Sequence, residues 1–554
     1  MATTRVLLPC NYKNSHMNTR LVHLLAGSAL SLVVGAVCAA AVPNDAVSTL
    51  PEAPADDGVP RFAISRYEVT GDTLLGPQLL QALSAPYTGP ARDFGDIERA
   101  LEAVQNAYRE RGYSMVLVSL PEQELEQGVV RLAVRELTVG KVNISGNRHV
   151  DEANVRRALP TLVEGVTPNL PELGQSLKLA NENPARKLEV RMSSGETGDS
   201  IDAAVLVNDE RAWKVSLNVD NSGSGESGKT HAGVVLQHAN LWGRDHVLSL
   251  QYTTAAEKTD QMGVYGVGYH VPLYALGDSL DFFASYSNVD SGTVSAGIFD
   301  LAVSGRGATA GARYNQNFSR QGNYEPKLVY GLDYKAYRNS LQFFGVELGT
   351  DVTVHPVSIA YIGAWTLDRG EANLGLTLAR NISGGKHGSQ ADFTLARLGA
   401  KAGYSTLRLS ASVNQVLGQD WQWRALANGQ YTPDALVPGE QFGIGGASTV
   451  RGFAEREVAN DNGANLNLEL YTPSWCGNGY QCRALAFYDA GWVRRNHALP
   501  GELTSTAIGS AGLGLRILLN RYANVQLDYA HVVNPGQTAR RDGDRLHFRV
   551  ALSY

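Results

Sequence analysis

Cys476 and Cys482 are the nearest thing to a reactive pair in this 554-residue sequence. Five residues separate them, with Gly477, Asn478 and Gly479 in the middle. A metal site would need further ligands, and no His or Asp lies inside that loop, so the pair reads as a disulfide-closed turn. The twelve histidines are scattered rather than set at ligand spacing. No G-x-S-x-G elbow, H-E-x-x-H zinc helix or Walker A sequence occurs. The Gly-rich stretches Ser222 to Gly228 and Gly443 to Gly446 lack a following Lys-Ser/Thr and read as loops. The expectation is therefore no enzyme and no cofactor. Three other patches stand out: Thr449-Val450-Arg451-Gly452-Phe453, Phe487-Tyr488-Asp489-Ala490-Gly491, and Pro121-Glu122-Gln123-x-Leu125-x-x-Gly128-x-Val130-x-Leu132-x-Val134.

The chain is too long for one ordinary domain. Its formal charge of −6 leaves no basic footprint for nucleic acid. Glycine (58) and tyrosine (24) are plentiful, as a barrel with interfacial aromatics would use them. Arg5, Lys13 and Arg20 precede an apolar run from Leu21 to Val37, followed by Ala39-Ala40-Ala41. Basic start, apolar middle and small exit describe a secretory signal peptide over 1–41, with Met17 an alternative start. The run is short for spanning ~30 Å of hydrocarbon. Val37 is a poor residue before a lipidated Cys38. Residues 42–60 are Pro-, Ala- and Asp-rich and read as a linker.

Phe62 to Val69 looks like a strand. Ile97, Leu101, Val104 and Tyr108 then share one helix face that stops at Gly112. Strands at Ser114 to Leu120 and Val129 to Val134 complete a β-α-α-β-β unit over 61–136. The order repeats over 137–209: a strand at Val139 to Ser145, helices at Val155 to Leu159 and Leu173 to Ala180, strands at Lys187 to Met192 and Ile201 to Val207. From Trp213 helical periodicity gives way to alternation. Trp213, Val215, Leu217 and Val219 alternate with polar residues, as do Leu466, Leu468 and Leu470, and then Leu546, Phe548, Val550, Leu552 and Tyr554. Period two puts all the apolar side chains on one face. A soluble sandwich would show the same pattern. Three features favour a membrane barrel: some 340 residues of such strands, short connections alternating with long polar ones (Asn520-Arg521-Tyr522 against Asn534 to Arg545), and a final aromatic, Tyr554, ending a strand that also carries Phe548. The fold expected is α+β periplasmic domains followed by an all-β transmembrane barrel of about sixteen antiparallel strands over 210–554.

At the three patches the chain resembles the two-partner secretion transporters, the TpsB family of ShlB, FhaC and HecB type. The resemblance covers roughly residues 60 to 554. V-R-G-F and F-x-D-x-G occur across the wider superfamily that includes the BamA insertases. Pro121, Gln123 and Gly128 resemble the first POTRA domain of the secretion branch. The resemblance implies two POTRA domains in the periplasm and a barrel in the outer membrane of a Gram-negative bacterium. It also implies that loop 437–463 folds into the lumen, where Arg451 meets Asp489 on the wall. A guanidinium in a narrow lumen needs a partner, and a carboxylate matches its planar fork. An inward Asp489 turns Phe487 and Gly491 inward and Tyr488 and Trp492 toward lipid, and Gly491 leaves room for the loop. Counting strands from Arg451 puts the cysteine pair at a periplasmic turn.

The partner implied is a large TpsA-type exoprotein, unfolded in the periplasm and exported through the lumen. Outer-membrane lipid and the barrel assembly machinery are the other expected partners, and the chain is expected to be monomeric. Some family members carry a plug helix before the first POTRA domain; the short acidic linker here speaks against one. The alternative is a BamA- or TamA-like insertase, which usually carries more periplasmic domains. A passive porin or outer-membrane enzyme leaves the two repeats and Arg451 without purpose.

Overall fold

Alternation in the second half of the chain builds one closed sheet. The computed structural model describes residues 60–554 except 72–73, 125, 224–227, 261, 289–291, 297–298, 304–305, 339–341, 344–345, 348–349, 478 and 539–542. The expected leader, nearly all of the linker and any plug helix fall outside these residues, as do Leu125 and Asn478. The barrel strands are β1 (Trp213–Asp220), β2 (His231–Leu241), β3 (His246–Ala255), β4 (Val264–Leu273) and β5 (Asp278–Ser287). Next come β6 (Gly307–Asn317), β7 (Tyr324–Tyr337), β8 (Val352–Val354 and Pro356–Leu367, interrupted at His355), β9 (Gly370–Asn381) and β10 (Ser405–Val416). The last are β11 (Gln422–Tyr431), β12 (Asn462–Tyr471), β13 (Tyr480–Arg494), β14 (Ser505–Leu519), β15 (Ala523–Asn534) and β16 (Asp544–Ser553). Each pairs antiparallel with its neighbour, and β16 closes on β1, giving a sixteen-strand barrel.

At the closing seam Val550 lies opposite Val219 and Leu552 opposite Leu217. Tyr554 and Val215 exchange two backbone hydrogen bonds (2.8 and 2.9 Å) just beyond the end of β16. The Asn221 side chain extends the seam at the other end, accepting from the Phe548 amide and donating to Leu546 O. The apolar alternates Leu466, Leu468, Leu470, Tyr488 and Trp492 face outward, and Asn465, Asn467, Glu469 and Asp489 are buried within. Among the described residues of the barrel half, one α-helix interrupts the β pattern: Gln390–Ala396, in the loop between β9 and β10. It is only seven residues long and held by a Ser389/Asp392 capping box, so it shows no apolar stripe to read.

In the first β-α-α-β-β unit the expected first strand breaks at Ser65. Ser65 N and Oγ both donate to Gly128 O (2.7 and 3.0 Å), which turns the chain. Phe62–Ile64 pairs with a strand at Gly89–Arg92 that sequence reading missed, and Arg66–Thr70 runs parallel to Val129–Glu136. The helix Phe94–Glu110 starts on a reciprocal Asp93/Asp96 capping box and buries Ile97, Val104 and Tyr108 against the sheet.

Gln123 has a structural reason. Its carboxamide accepts from Arg131 N (2.7 Å) and donates to Arg131 O (2.8 Å). It thereby stands in for a peptide group where Pro121, with no N–H, ends the neighbouring strand Val116–Ser119. Gly128 has φ +70°, and a Cβ there would lie 2.8 Å from Ala63 O.

The second unit has strands Thr138–Ser145, Arg186–Ser194 and Ser200–Asp209 and helices Glu152–Ala158 and Leu170–Asn181. It is bolted to the barrel turns. Arg186, in this unit, and Asp245, in the β2–β3 turn, form a fully buried pair (2.8 Å), and Tyr274 donates to Asp245 (2.9 Å). Asn183 and Arg157 donate to Ala239 O and Gly243 O (both 2.7 Å), and Lys178 pairs with Glu325 (2.6 Å).

Candidate functional site, a loop latched inside the barrel

The connection between β11 and β12 covers 432–461. It starts five residues before the expected 437, and Gly463 already belongs to β12. A short hairpin, Phe442–Ile444 with Val458–Asn460, stiffens it. Its apolar residues Ile444, Val450 and Phe453 pack on Val493 of β13, Ile508 of β14 and Val532 of β15 in one buried cluster. All three wall residues occupy the inner register of their strands, so the loop lies within the lumen. Gly491 is where the loop comes nearest: a Cβ there would sit 3.0 Å from both Ile444 Cδ1 and Val450 Cγ2.

Arg451 is the centre of the contact. Its Nε and Nη2 donate to the two oxygens of Asp489 (2.7 and 2.8 Å), and its backbone N–H donates to Asp489 Oδ2 (3.1 Å). Nη1 meets Glu469 of β12 at 2.9 Å and Asp528 of β15 at 3.5 Å. The guanidinium lies over the Phe487 ring, 3.5 Å from its centroid. Asn467 donates to Asp489 Oδ1 (2.8 Å) and to Thr449 O. Gly452 N–H donates to His547 Nε2 (2.9 Å) and Arg545 to Phe453 O (2.9 Å), both on β16. Arg424 and Arg516 stand beside Glu469 and Asp528, so three guanidiniums answer three carboxylates.

Sequence reading paired Arg451 with Asp489 and missed Glu469, Asp528, Asn467 and His547. Each of these is a polar alternate on its strand, but alternation says nothing of the register that brings four strands to one point.

Two further anchors were not anticipated. Glu440, nearly fully buried, bonds Lys335 (2.8 Å) and Tyr337 of β7 and Arg408 of β10 (3.3 Å). Asp461, at the loop's end, binds Arg397 in two hydrogen bonds and accepts from Leu436 N (2.8 Å) and Asn496 N (2.7 Å). The loop therefore bridges the lumen from β7 and β10 to β12–β16. Cys476 and Cys482 are joined, closing the β12–β13 turn at the end of the barrel where the second unit attaches.

Residues 200–517 match the haemolysin secretion/activation protein family ShlB/FhaC/HecB, and residues 62–136 match the ShlB-type POTRA domain. The chain belongs to the ShlB/FhaC/HecB family. Its members are TpsB outer-membrane transporters of two-partner secretion, and this transporter sits in the outer membrane with its POTRA region in the periplasm. It is 24% identical to the outer membrane transporter CdiB of Escherichia coli O6:K15:H31 over 92% of this chain and 85% of that one. It is 21% identical to the heme/hemopexin transporter protein HuxB of Haemophilus influenzae over 78% of this chain and 76% of that one. The fold is similar to that of CdiB from Escherichia coli, with TM-score 0.73 and 22% identity over 91% and 93% of the two chains. These matches support secretion over the insertase alternative.

Proposed function

We propose that this transporter receives a large TpsA-type exoprotein, unfolded, at its two periplasmic units and passes it through the lumen along the latched loop 432–461. The observation that carries this reading is the Arg451 latch. A loop tied by one guanidinium to three strands has a defined place in the path, so it sets the lumen's bore and presents a fixed surface to a passing chain. The second unit repeats the element order of the POTRA domain and is read here as a second one.

The first unit has an edge suited to capture. Gln105 covers the outer edge of strand Val116–Ser119, bonding Val116 O (2.6 Å) and Val118 N (2.8 Å). That leaves Arg66–Thr70 as the sheet edge able to accept an extended segment through main-chain hydrogen bonds, which suits an unfolded client of varied sequence. The drive is folding of the client outside the cell.

Co-expression with the cognate exoprotein tests this. Deleting residues 62–136 is expected to abolish the appearance of exoprotein in the medium while the barrel still inserts. Undiminished export from the deleted form would contradict the capture role.

A further inference from the structure

Arg380 stands on the lipid-facing side of β9, and its side chain makes no hydrogen bond or ion pair among the described residues. It lies opposite Val357 of β8 and Ser405 of β10. Its neighbours Ala379 and Asn381 are buried on the inner side, so Arg380 shares the outer face with Leu378 and Ile382, 55% and 56% exposed. An apolar side chain thus continues the lipid face beyond Arg380. The guanidinium sits at the border of the hydrocarbon, not out in bulk water. Tyr334 of β7 and Tyr431 of β11, both outward and exposed, belong to the aromatic girdle at the same end. That end is the external one. Lys178 of the second unit pairs with Glu325 at the start of β7, so β7 and, two strands on, β9 run away from the periplasm.

A second cation joins the patch. After β9 the chain turns back over β8: Ile382 N–H donates to His355 O (3.2 Å) and Thr353 N–H to His387 O (2.9 Å). A Cβ on Gly385 would lie 3.4 Å from His355 Cε1, and the His355 ring stands 5.4 Å from that of Tyr334. Lys386, next to Gly385, is exposed, and its side chain is likewise without a partner among the described residues. The neighbouring acids are engaged elsewhere. Asp434 pairs with Lys401 (3.0 Å) and accepts from Ser405 N (3.1 Å), and Asp392 accepts from Ser389 N (2.9 Å) in the helix cap. Asp351, by the register of Val352 with Tyr337, falls opposite Arg338 and not Arg380.

A guanidinium at that depth gains most from an anion fixed there, and phosphate matches its fork. We propose that the outer face at the external ends of β8–β10 binds lipid A, the phosphorylated glycolipid of the outer leaflet. Arg380 and Lys386 meet its phosphates, and its acyl chains lie on Leu378, Leu407 and Ile382. A soluble anion would gain nothing from those apolar side chains. The loop that carries Lys386 also carries Arg397, which holds Asp461 at the end of the latched loop, so bound lipid steadies that loop's outer foot. The proposal rests on the barrel's place in the outer membrane and not on the identity of the client.

The test is native mass spectrometry of the whole chain in detergent, titrated with lipid A, phosphatidylglycerol or inorganic phosphate. Wild type and the charge-keeping R380K/K386R are expected to retain one lipid A per chain. R380Q and K386Q should each bind it about fivefold more weakly, and R380Q/K386Q about 30-fold, as ~1 kcal/mol per surface cation implies. R369Q, at the periplasmic β8–β9 turn, should bind as wild type does. The single variants serve if the double variant does not insert. Unchanged affinity in R380Q and K386Q would overturn the proposal. So would equal retention of phosphatidylglycerol, or displacement of the lipid by millimolar inorganic phosphate.

Discussion

Replacing Arg451 with lysine keeps the charge and loses the fork. One ammonium cannot bond both oxygens of Asp489 and reach Glu469 in the geometry the guanidinium has, nor stack on Phe487 as a plane. Arg451→Lys should therefore destabilise the latched loop by about 1–3 kcal/mol. It would show as heat-induced loss of the compact electrophoretic form at lower temperature than wild type; an unchanged transition would contradict it. The pair Arg451–Asp489 was legible in sequence because both residues sit in recognisable motifs. Glu469 and Asp528 were not, since each looks like any inward polar alternate until the strands are registered. Glu440 was still less visible: it lies in irregular chain, and its partners come from strands up to about a hundred residues away.

At the scale of elements, the disulfide closes a turn of only a few residues. In the chain-entropy picture so small a loop stabilises by about 2 kcal/mol. Cys476→Ser with Cys482→Ser is expected to lower the thermal transition slightly and leave secretion at the wild-type level, and a reductant should reproduce the shift in wild type alone. Asp209 ends the last strand of the second unit. Burial works to raise its carboxyl, yet the backbone N–H groups of His149, Arg148 and Val150 outweigh that and hold it below the usual carboxylate range. A depressed folded-state pKa contributes stability present above the unfolded value of about 3.9 and lost as pH falls through the folded value. Asp209→Asn should thus be less stable than wild type at pH 7, with the difference closing in acid below pH 4. Denaturant titrations at pH 7 and pH 3 would check this, and a gap that widened in acid would refute it. The barrel's strands were legible because lipid on one side and a polar lumen on the other enforce period two. The break at Ser65 and the strand Gly89–Arg92 were hidden, because a side-chain bond to Gly128 decides them and no local pattern marks it. The helix Gln390–Ala396 was hidden by its shortness.

For the whole molecule, the second unit and the barrel are joined through a buried ion pair, and removing one member leaves the other uncompensated. Arg186→Ala should cost about 3–5 kcal/mol at this joint and free the unit from the turns, while Arg186→Ala with Asp245→Ala should recover part of the loss. Limited proteolysis between residues 209 and 213 reads it directly: faster cleavage in the single variant than in the double one is expected, and equal resistance in all three proteins would deny the joint its role. The central claim concerns the other end of the path, where the loop tied by Arg451 belongs to the transport route. It is tested most directly by the amount of exoprotein reaching the medium from cells expressing Arg451→Ala, with equal barrel in the outer membrane. Unpairing Asp489 and Glu469 disturbs ~3–5 kcal/mol of contacts, and 1.4 kcal/mol already makes a tenfold change in rate. The account predicts that exoprotein in the medium falls about tenfold or more; export at the wild-type level from the same quantity of barrel would contradict it.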